Sequence, residues 1–362
     1  MHILHLDYDD LNNTFGPGGQ ARFTYELYKR LSKKNKITVL TGMYPDAKNI
    51  TTDGIHYKRL GIGFLGSKVS ILSYWLLIPF YVFFLQHNFD IIIECFTPPF
   101  SVSFVPFIAR KRLIGIISFW GSRELSVKYN LPFWWIAEWG IRKYQNLVVF
   151  SEVMKNKIQS LHKNASVSII PLGVDPKYFS IRKRKGEYAL FIGRIDIYNK
   201  YLDILLLTWK ILIDRGMYIR LIIAGCGKPS DEAKLSNLIL KNNLAPYVHL
   251  IGYISGKTKE TLYTNSLCIL CPSRFETFGL VPLEALAFGK PVFCTDIEGF
   301  EWIPPECVVK SPSFSVSGFY KCISRLLTHQ KFQRSLSKRG RKFARQFNWD
   351  SIAKKYEQLF IS

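Results

Sequence analysis

Residues 267–285 read Leu267-Cys268-Ile269-Leu270-Cys271-Pro272-Ser273-Arg274-Phe275-Glu276-Thr277-Phe278-Gly279-Leu280-Val281-Pro282-Leu283-Glu284-Ala285. An apolar run of strand length leads into a loop, and the loop into a short helix. Pro282 suits the first helical position, and Glu284 then falls in the first turn. Gly289 suits the helix end, so the helix is expected over 282–288. Glu276 would sit in the loop entering it. Such a loop offers backbone N–H groups and a helix N-terminus to an anion. Its two glutamates can accept hydrogen bonds from ligand hydroxyls. Spacing alone would leave a bland reading, one surface glutamate and one at a helix start. The Thr-Phe-Gly insert and the strand–loop–helix context favour a binding loop.

The alternation extends upstream. Strands are expected at 188–192, 219–224 and 248–251, and helices at 201–215, 230–243 and 257–264. A further strand is expected at 292–294. This pattern makes a parallel sheet with crossover helices. The first of these strands ends Phe191-Ile192-Gly193-Arg194, and Lys200 follows. Glycine allows close backbone approach, and cations at a strand's carboxyl end point into the crevice where open sheets bind ligands. Two fixed cations there suit a diphosphate. An ordinary pair of surface cations is the bland alternative.

The first half carries its own alternation. Strands are expected at 3–6, 37–40, 90–94, 114–119 and 147–150, and helices at about 20–33, 69–85 and 131–143. A glycine-rich turn, Gly16-Pro17-Gly18-Gly19, joins the first strand to a helix with Phe23, Leu27 and Leu31 on one face. The stretch 167–175, with Pro171-Leu172-Gly173, and the basic run Arg182-Lys183-Arg184-Lys185-Gly186 mark an exposed connection between the halves. A helix from about 350 to 360 closes the chain. The expected architecture is α/β, with Rossmann-like domains at 1–172 and 173–347 and a terminal segment at 348–362. Two such domains facing a central cleft serve dehydrogenases, periplasmic binders and sugar transferases alike, so fold does not fix function.

With 362 residues, 48% hydrophobic and 21% charged, each half can build an ordinary core. The net charge of +22 is spread over both halves and attracts phosphate-bearing partners. No zinc-finger spacing or RRM-type signature supports nucleic acid, so no nucleic-acid partner is expected. Seven scattered cysteines point to buried thiols in a reducing cytosol. Cys268 and Cys271 have CxxC spacing, but alternation along a strand would not converge both on a metal. Residues 1–6 run straight into Asp7-Tyr8-Asp9-Asp10, a strand and an acidic turn rather than a signal peptide.

Between Lys68 and Asp90 there is no Lys, Arg, Asp or Glu. The run is at the lower edge of spanning length. Pro79 interrupts it, and the next strand follows at the spacing of a βαβ crossover. A crossover helix, partly buried and partly touching a membrane, is expected; a wholly buried helix and a true span are the alternatives. Phe133-Trp134-Trp135-Ile136 and Trp139, beside basic residues, favour an anionic membrane interface. A Trp-rich core helix is the bland reading of that cluster.

Together the Glu276–Glu284 segment and the Gly193-Arg194…Lys200 segment resemble the retaining glycosyltransferases of family 4, which have the GT-B fold. Supporting pieces are Pro171-Leu172-Gly173-Val174-Asp175, Ala224-Gly225-Cys226-Gly227, Ile251-Gly252 and Phe347-Asn348-Trp349-Asp350. The resemblance implies a C-terminal helix that returns to the N-terminal domain. It implies an N-terminal acceptor-binding domain and a C-terminal domain for the nucleotide-sugar. Arg194 and Lys200 would hold the donor diphosphate, beside Gly193. Glu276 would contact hydroxyls of the transferred sugar, supported by backbone at Thr277, Phe278 and Gly279. Glu284 would bind the ribose. Gly18 and Gly19 match a glycine pair that closes over the donor phosphates and borders the acceptor.

Two departures stand out. Tyr201 follows Lys200 where many members have glycine. The segment Ser118-Phe119-Trp120-Gly121 has Trp120 near a position where many members have histidine, which puts Trp120 and Gly121 on the expected acceptor side. The family mechanism implies retention, with a donor phosphate oxygen taking the acceptor's proton, and needs no pair of catalytic carboxylates. Cationic side chains would stabilise the leaving group, so neither cofactor nor metal is expected; Asp7-Tyr8-Asp9 lies far in sequence from the donor motif. The expected partners are a UDP- or GDP-sugar and a glycan or lipid-linked acceptor. The expected location is the cytoplasm, at the inner face of the cell membrane. Rival readings are a nucleotide-sugar epimerase, a phosphorylase, or a non-catalytic sugar-binding protein on the same fold. A dinucleotide-dependent dehydrogenase lacks its G-x-G-x-x-G.

Overall fold

The computed structural model describes residues 1–15, 18–96, 102–181, 184 and 186–361. Gly16 and Pro17 of the glycine-rich turn, and Arg182, Lys183 and Lys185 of the basic run, lie outside the described residues. The chain forms two compact units, Met1–Leu172 with Trp349–Ser362, and Gly173–Asn348.

The first unit holds strands β1 (His2–Leu6), β2 (Lys36–Gly42), β3 (Ile50–Thr52), β4 (Ile55–Leu60), β5 (Ile91–Cys95), β6 (Arg112–Ile116), β7 (Asn146–Val149) and β8 (Ser166–Ile169). They form one sheet in the order β3-β4-β2-β1-β5-β6-β7-β8. Among the described residues only the short β3–β4 pair is antiparallel. The helices are α1 (Gly19–Leu31), α2 (Ser67–Leu85), α3 (Ser122–Tyr129), α4 (Phe133–Ile141) and α5 (Glu152–Leu161).

The second unit holds β9 (Tyr188–Ile192), β10 (Arg220–Ala224), β11 (Val248–Leu250), β12 (Ser266–Cys271), β13 (Val292–Thr295) and β14 (Val309–Ser311). Their order, β11-β10-β9-β12-β13-β14, is the Rossmann arrangement. Its helices are α6 (Leu202–Asp214), α7 (Pro229–Lys241), α8 (Gly256–Asn265), α9 (Leu280–Ala287), α10 (Val316–Thr328) and α11 (Gln330–Ala344). The β9, β10, β12 and β13 strands are apolar on both faces, as a sheet covered on both sides requires. Trp209 and Leu205 of α6 and Phe319 and Ile323 of α10 are fully buried against this sheet.

The closing helix α12 (Trp349–Ile361) belongs to the first unit. Trp349, Ile352, Ala353, Tyr356 and Phe360 form its buried stripe. Phe23 of α1 lies 6.0 Å from the Trp349 ring and 5.8 Å from that of Tyr356. Arg30 Nε donates to Asp350 at 2.6 Å across the same contact.

Several expectations need correction. Helix α9 starts at Leu280, so Pro282 is its third residue and Glu284 its fifth, beyond the first turn. Pro282 is tolerated because an N–H in the first turn has no intrahelical partner. The helix expected over 131–143 is α4 alone, preceded by a separate α3. The strand expected over 114–119 ends at Ile116. The residues around 167–169, read as the start of the connection, are strand β8. Gly289 does follow α9, at φ +67. Cys268 and Cys271 are both buried free thiols, and burial pushes Cys268 up to about 12.

Candidate active site

Each sheet reverses its strand order once: between β1 and β5 in the first unit, and between β9 and β12 in the second. Outside the carboxyl ends of the strands at such a point, helices and loops leave in opposite directions and open a crevice.

In the second unit the two sequence motifs flank that point. Strand β9 leads into Gly193 and Arg194, and β12 into the loop that holds Glu276. Gly193 has φ +158 and Gly225 φ +145. A Cβ on Gly225 would overlap the Gly193 carbonyl oxygen, so the two loops lie backbone to backbone. Gly193 N–H donates to Ala224 O at 3.0 Å, and Ile195 N–H to Cys226 O at 3.0 Å.

Lys200 and Glu276 are brought together as an ion pair, each about a quarter exposed or less (21% and 24%). Ser273 joins them: its hydroxyl accepts from Lys200 Nζ at 3.2 Å and donates to Glu276 Oε1 at 2.9 Å. Arg274 ties the loops further. Its N–H donates to Asn199 O at 2.8 Å, and its guanidinium lies 4.1 Å from the Tyr198 ring and 4.0 Å from that of Tyr201. Tyr201 adopts φ +42, a conformation that favours glycine, and stacks on Phe314 at 5.6 Å. Tyrosine thus takes the glycine-type backbone there and adds two ring contacts. Arg194 is exposed and has no hydrogen bond or ion pair within the described residues.

The loop between Glu276 and α9 is pinned from below. Phe278 is buried and stacks on Trp302, with centroids 4.2 Å apart, and Trp302 Nε1 donates to the Phe278 carbonyl at 2.7 Å. Gly279 has φ +84, and a Cβ there would come 2.6 Å from Phe300. Phe278 therefore has its ring in the core and its carbonyl tied to Trp302. Thr277 is partly buried beside it.

Glu284 is buried in α9, with both carboxylate oxygens engaged. Lys259 Nζ lies 2.7 Å from Oε1, and the Tyr263 hydroxyl donates to Oε2 at 2.9 Å. Burial and the Glu284 charge push the Tyr263 phenol well up, so it stays a donor. Lys259 and Tyr263 are one turn apart on α8. Nothing in the sequence marked them or Ser273, because their role arises only when α8 and the β12 loop meet distant carboxylates.

In the first unit, Gly18 and Gly19 open α1. Gly18 N–H donates to Asp9 Oδ2 at 2.6 Å, and Asn13 Nδ2 to Asp9 Oδ1 at 3.0 Å. Burial, and then the Asp7 charge, push Asp9 up to about 7. Asp7 is fully buried and accepts from Asp9 N–H, Gln20 Nε2 and the Thr24 hydroxyl. Asp7-Tyr8-Asp9 thus braces the turn that carries the glycines. His5, Asp7 and Cys95 bring ligand atoms within 4.8 Å of one another. Tyr28 and Thr24 hydroxyls already face both His5 nitrogens, so this cluster is a filled hydrogen-bond network. Trp120 packs in the core with Ile117, Ala137 and Ile141, so its ring offers almost no surface to an acceptor. Gly121 precedes α3 and is also buried.

Residues 175–343 match the family described as glycosyl transferases group 1, and residues 17–178 the one described as glycosyltransferase family 4. An uncharacterised glycosyltransferase of Methanocaldococcus jannaschii is 26% identical over 252 residues, 67% of this chain and 68% of that protein. The capsular polysaccharide biosynthesis glycosyltransferase CapM of Staphylococcus aureus is 24% identical over 240 residues, 58% of this chain and 61% of CapM. Sucrose-phosphate synthase from Thermosynechococcus elongatus superposes with a TM-score of 0.82 at 19% identity, over 99% of this chain and 98% of the other. Anabaena HepE, solved with UDP and glucose, gives 0.76 at 16% identity over 99% of both chains. The structural likenesses carry the fold, and the two matched segments together run from residue 17 to residue 343. The chain is a glycosyltransferase of the GT-B fold, and both of its halves resemble family 4.

Proposed function

We propose that this transferase takes a sugar from a UDP- or GDP-sugar, with retention and without a metal, and passes it to a glycan or lipid-linked acceptor. The observation that supports this most is the placement of Arg194, Lys200 and Glu276 around the β9/β12 reversal. The reaction breaks the anomeric C–O bond, and negative charge grows on the departing diphosphate. Arg194, exposed and unpaired within the described residues, and Lys200 stabilise that charge. Backbone at Thr277 and Gly279 adds to it. Glu276, held by Lys200 and Ser273, accepts hydrogen bonds from the sugar. Glu284 takes the ribose hydroxyls in the same way, its orientation set by Lys259 and Tyr263. The acceptor attacks from the leaving-group side, and a donor phosphate oxygen takes its proton. No second carboxylate is needed as a base. Cations already supply the charge a metal would bring, and Asp7 and Asp9 are occupied with bracing the Gly18-Gly19 turn.

HepE was solved with UDP and with UDP-glucose, which makes UDP-sugars the first donors to try. CapM's part in capsular polysaccharide synthesis favours an acceptor of that chemistry. The free cysteines fit a reducing cytoplasm, and a lipid-linked acceptor fits the inner face of the membrane. The test is a thermal-shift screen of wild type and Glu276→Ala against UDP-, GDP- and ADP-sugars in EDTA, followed by transfer assays. The expected result is a shift with one donor, weakened in the variant. No shift with any donor in EDTA, but one on adding Mg²⁺ or Mn²⁺, would overturn metal independence. Inversion at the anomeric carbon of the product would overturn retention.

A further inference from the structure

Helix α2 is apolar on both sides. Ser70, Tyr74, Ile78 and Val82, four residues apart, form the buried face. Tyr74 donates to Leu40 O at 2.8 Å, and Ile78 and Val82 pack with Leu4, Leu6 and Ile92 of the sheet. Offset by two residues, and so on the opposite side of the helix, are Leu72, Leu76, Phe80 and Phe84. They are 48%, 49%, 64% and 66% exposed. A surface helix ordinarily turns a polar face to water. This one turns leucine and phenylalanine outward.

The outward face continues onto two neighbouring segments. The Trp75 ring lies 4.9 Å from Phe104, Phe104 lies 6.4 Å from Phe107, and Phe107 stacks on Trp139 of α4 at 5.4 Å. The row ends at Lys143, whose ammonium sits 5.4 Å over Phe107 and 5.7 Å over Trp139. Lys68, at the start of α2, is exposed at the other side. A leucine and phenylalanine centre bordered by tryptophan and lysine is the composition of a surface that meets lipid headgroups.

We infer that the outer face of α2, with Phe104, Phe107 and the exposed tryptophans of α4, seats the first unit on an anionic lipid leaflet. The segment Ser67–Asn88 is long and apolar enough to cross a membrane. Crossing would strip Tyr74, Ile78 and Val82 from the sheet, so the helix lies in the leaflet plane instead. Charge selects lipid over a second copy. Two chains at +22 repel, whereas the same charge draws the face to an anionic leaflet. The inference deepens the proposed membrane-held acceptor. Vesicle binding is read without donor or acceptor, so either proposal can fail while the other stands.

The experiment is flotation of the full chain with phosphatidylcholine vesicles and with vesicles containing phosphatidylglycerol. Quenching of native tryptophan by brominated lipid is read in parallel. Wild type should float with anionic vesicles and be quenched. The variant Leu76→Glu/Phe80→Glu/Phe84→Glu should bind at least about tenfold more weakly, since charge is costly among acyl chains. Because all three side chains point away from the sheet, its circular dichroism and its donor-induced thermal shift should match wild type. A milder Leu76→Ser/Phe80→Ser/Phe84→Ser variant, with weaker binding than wild type, covers the case in which the charged one misfolds. Wild type that does not float, binding unchanged in either folded variant, or binding without quenching would overturn the inference. So would a wild-type dimer that the variants dissociate and that binds no vesicles.

Discussion

The two reversal points share one topology and carry opposite chemistry. At β1/β5 the groups are acidic and sheltered: Asp7 accepts from Asp9 N–H and from Gln20 and Thr24 of α1, and Asp9 from Gly18 N–H and Asn13 before it. At β9/β12 they are cationic and within reach of solvent: Lys200 is partly exposed and Arg194 exposed. A parallel sheet therefore fixes where a ligand can sit but not what it is. The acidic point holds its own chain, and the cationic one is where the proposed donor diphosphate would sit.

The largest effect should come from the cationic side. Lys200→Ala is expected to lower kcat by roughly 10²–10³, the loss typical of one preorganised electrostatic partner. Asp9→Asn, which keeps an acceptor for Gly18 N–H, should lower it by less than about tenfold, because it touches loop geometry alone. Steady-state kinetics of both variants tests the contrast, and equal losses would break it.

Glu284→Gln sharpens the assignment within the second unit. The amide keeps the shape of the carboxylate but leaves Lys259 without its counter-charge. Donor affinity should fall about tenfold, about 1.4 kcal/mol. The change should appear in KM more than in kcat, since ribose is held alike in ground and transition states. Titration calorimetry with the donor checks this, and an unchanged Kd would remove Glu284 from the donor site.

A pH effect should follow in the first unit. Glu94 is buried at the end of β5 and accepts from Tyr144 at 2.9 Å, and burial pushes it from 4.5 up to about 7. The folded chain keeps this proton where the unfolded chain has lost it. The stability so gained is whole below about 4.5 and is lost as pH rises through about 7. The Tm of Glu94→Gln relative to wild type should therefore climb by a few degrees between about pH 5 and pH 8. A flat difference across that range would mean that Glu94 is ionised in the fold.

The smallest effect is expected at Tyr201. Tyr201→Gly relieves the positive φ, worth about 1 kcal/mol, but loses the Arg274 and Phe314 contacts, worth about the same. Tm should move little, while KM for the donor should rise as the Arg274 bridge between the two loops loosens. Unchanged KM would make the bridge incidental.

Much of the fold was legible because buried parallel strands are apolar runs: β9 spans the residues expected of it, and β10 and β13 fall within one of theirs. Helix α11 was not legible. Its core face is Leu336, Ser337, Gly340 and Ala344, and Gly340 lets Leu286 come close. Phe332, Leu336, Gly340 and Ala344 recur at helical spacing, but the lysines and arginines between them make the segment polar on average and mask the stripe. The β3–β4 hairpin is short and mostly solvent-facing, so it too lacks the signal. At the candidate site, glycines, cations and glutamates could be named in advance, because their residue types are unusual at strand ends. Ser273, Lys259 and Tyr263 could not, and Trp120 had the chemistry of a binding-site aromatic but the burial of a core one.

The position of α12 bears on synthesis. The second unit is one unbroken stretch, Gly173–Asn348, and can complete its sheet as soon as it has left the ribosome. The first unit starts earlier yet stays open along α1, with Phe23 lacking its Trp349 and Tyr356 contacts and Arg30 its Asp350 contact, until Trp349 and the turns after it emerge. The usual order, amino-terminal domain first, is thereby reversed for its final step. A nascent chain halted before Trp349 would carry a finished second unit beside an unsealed first one.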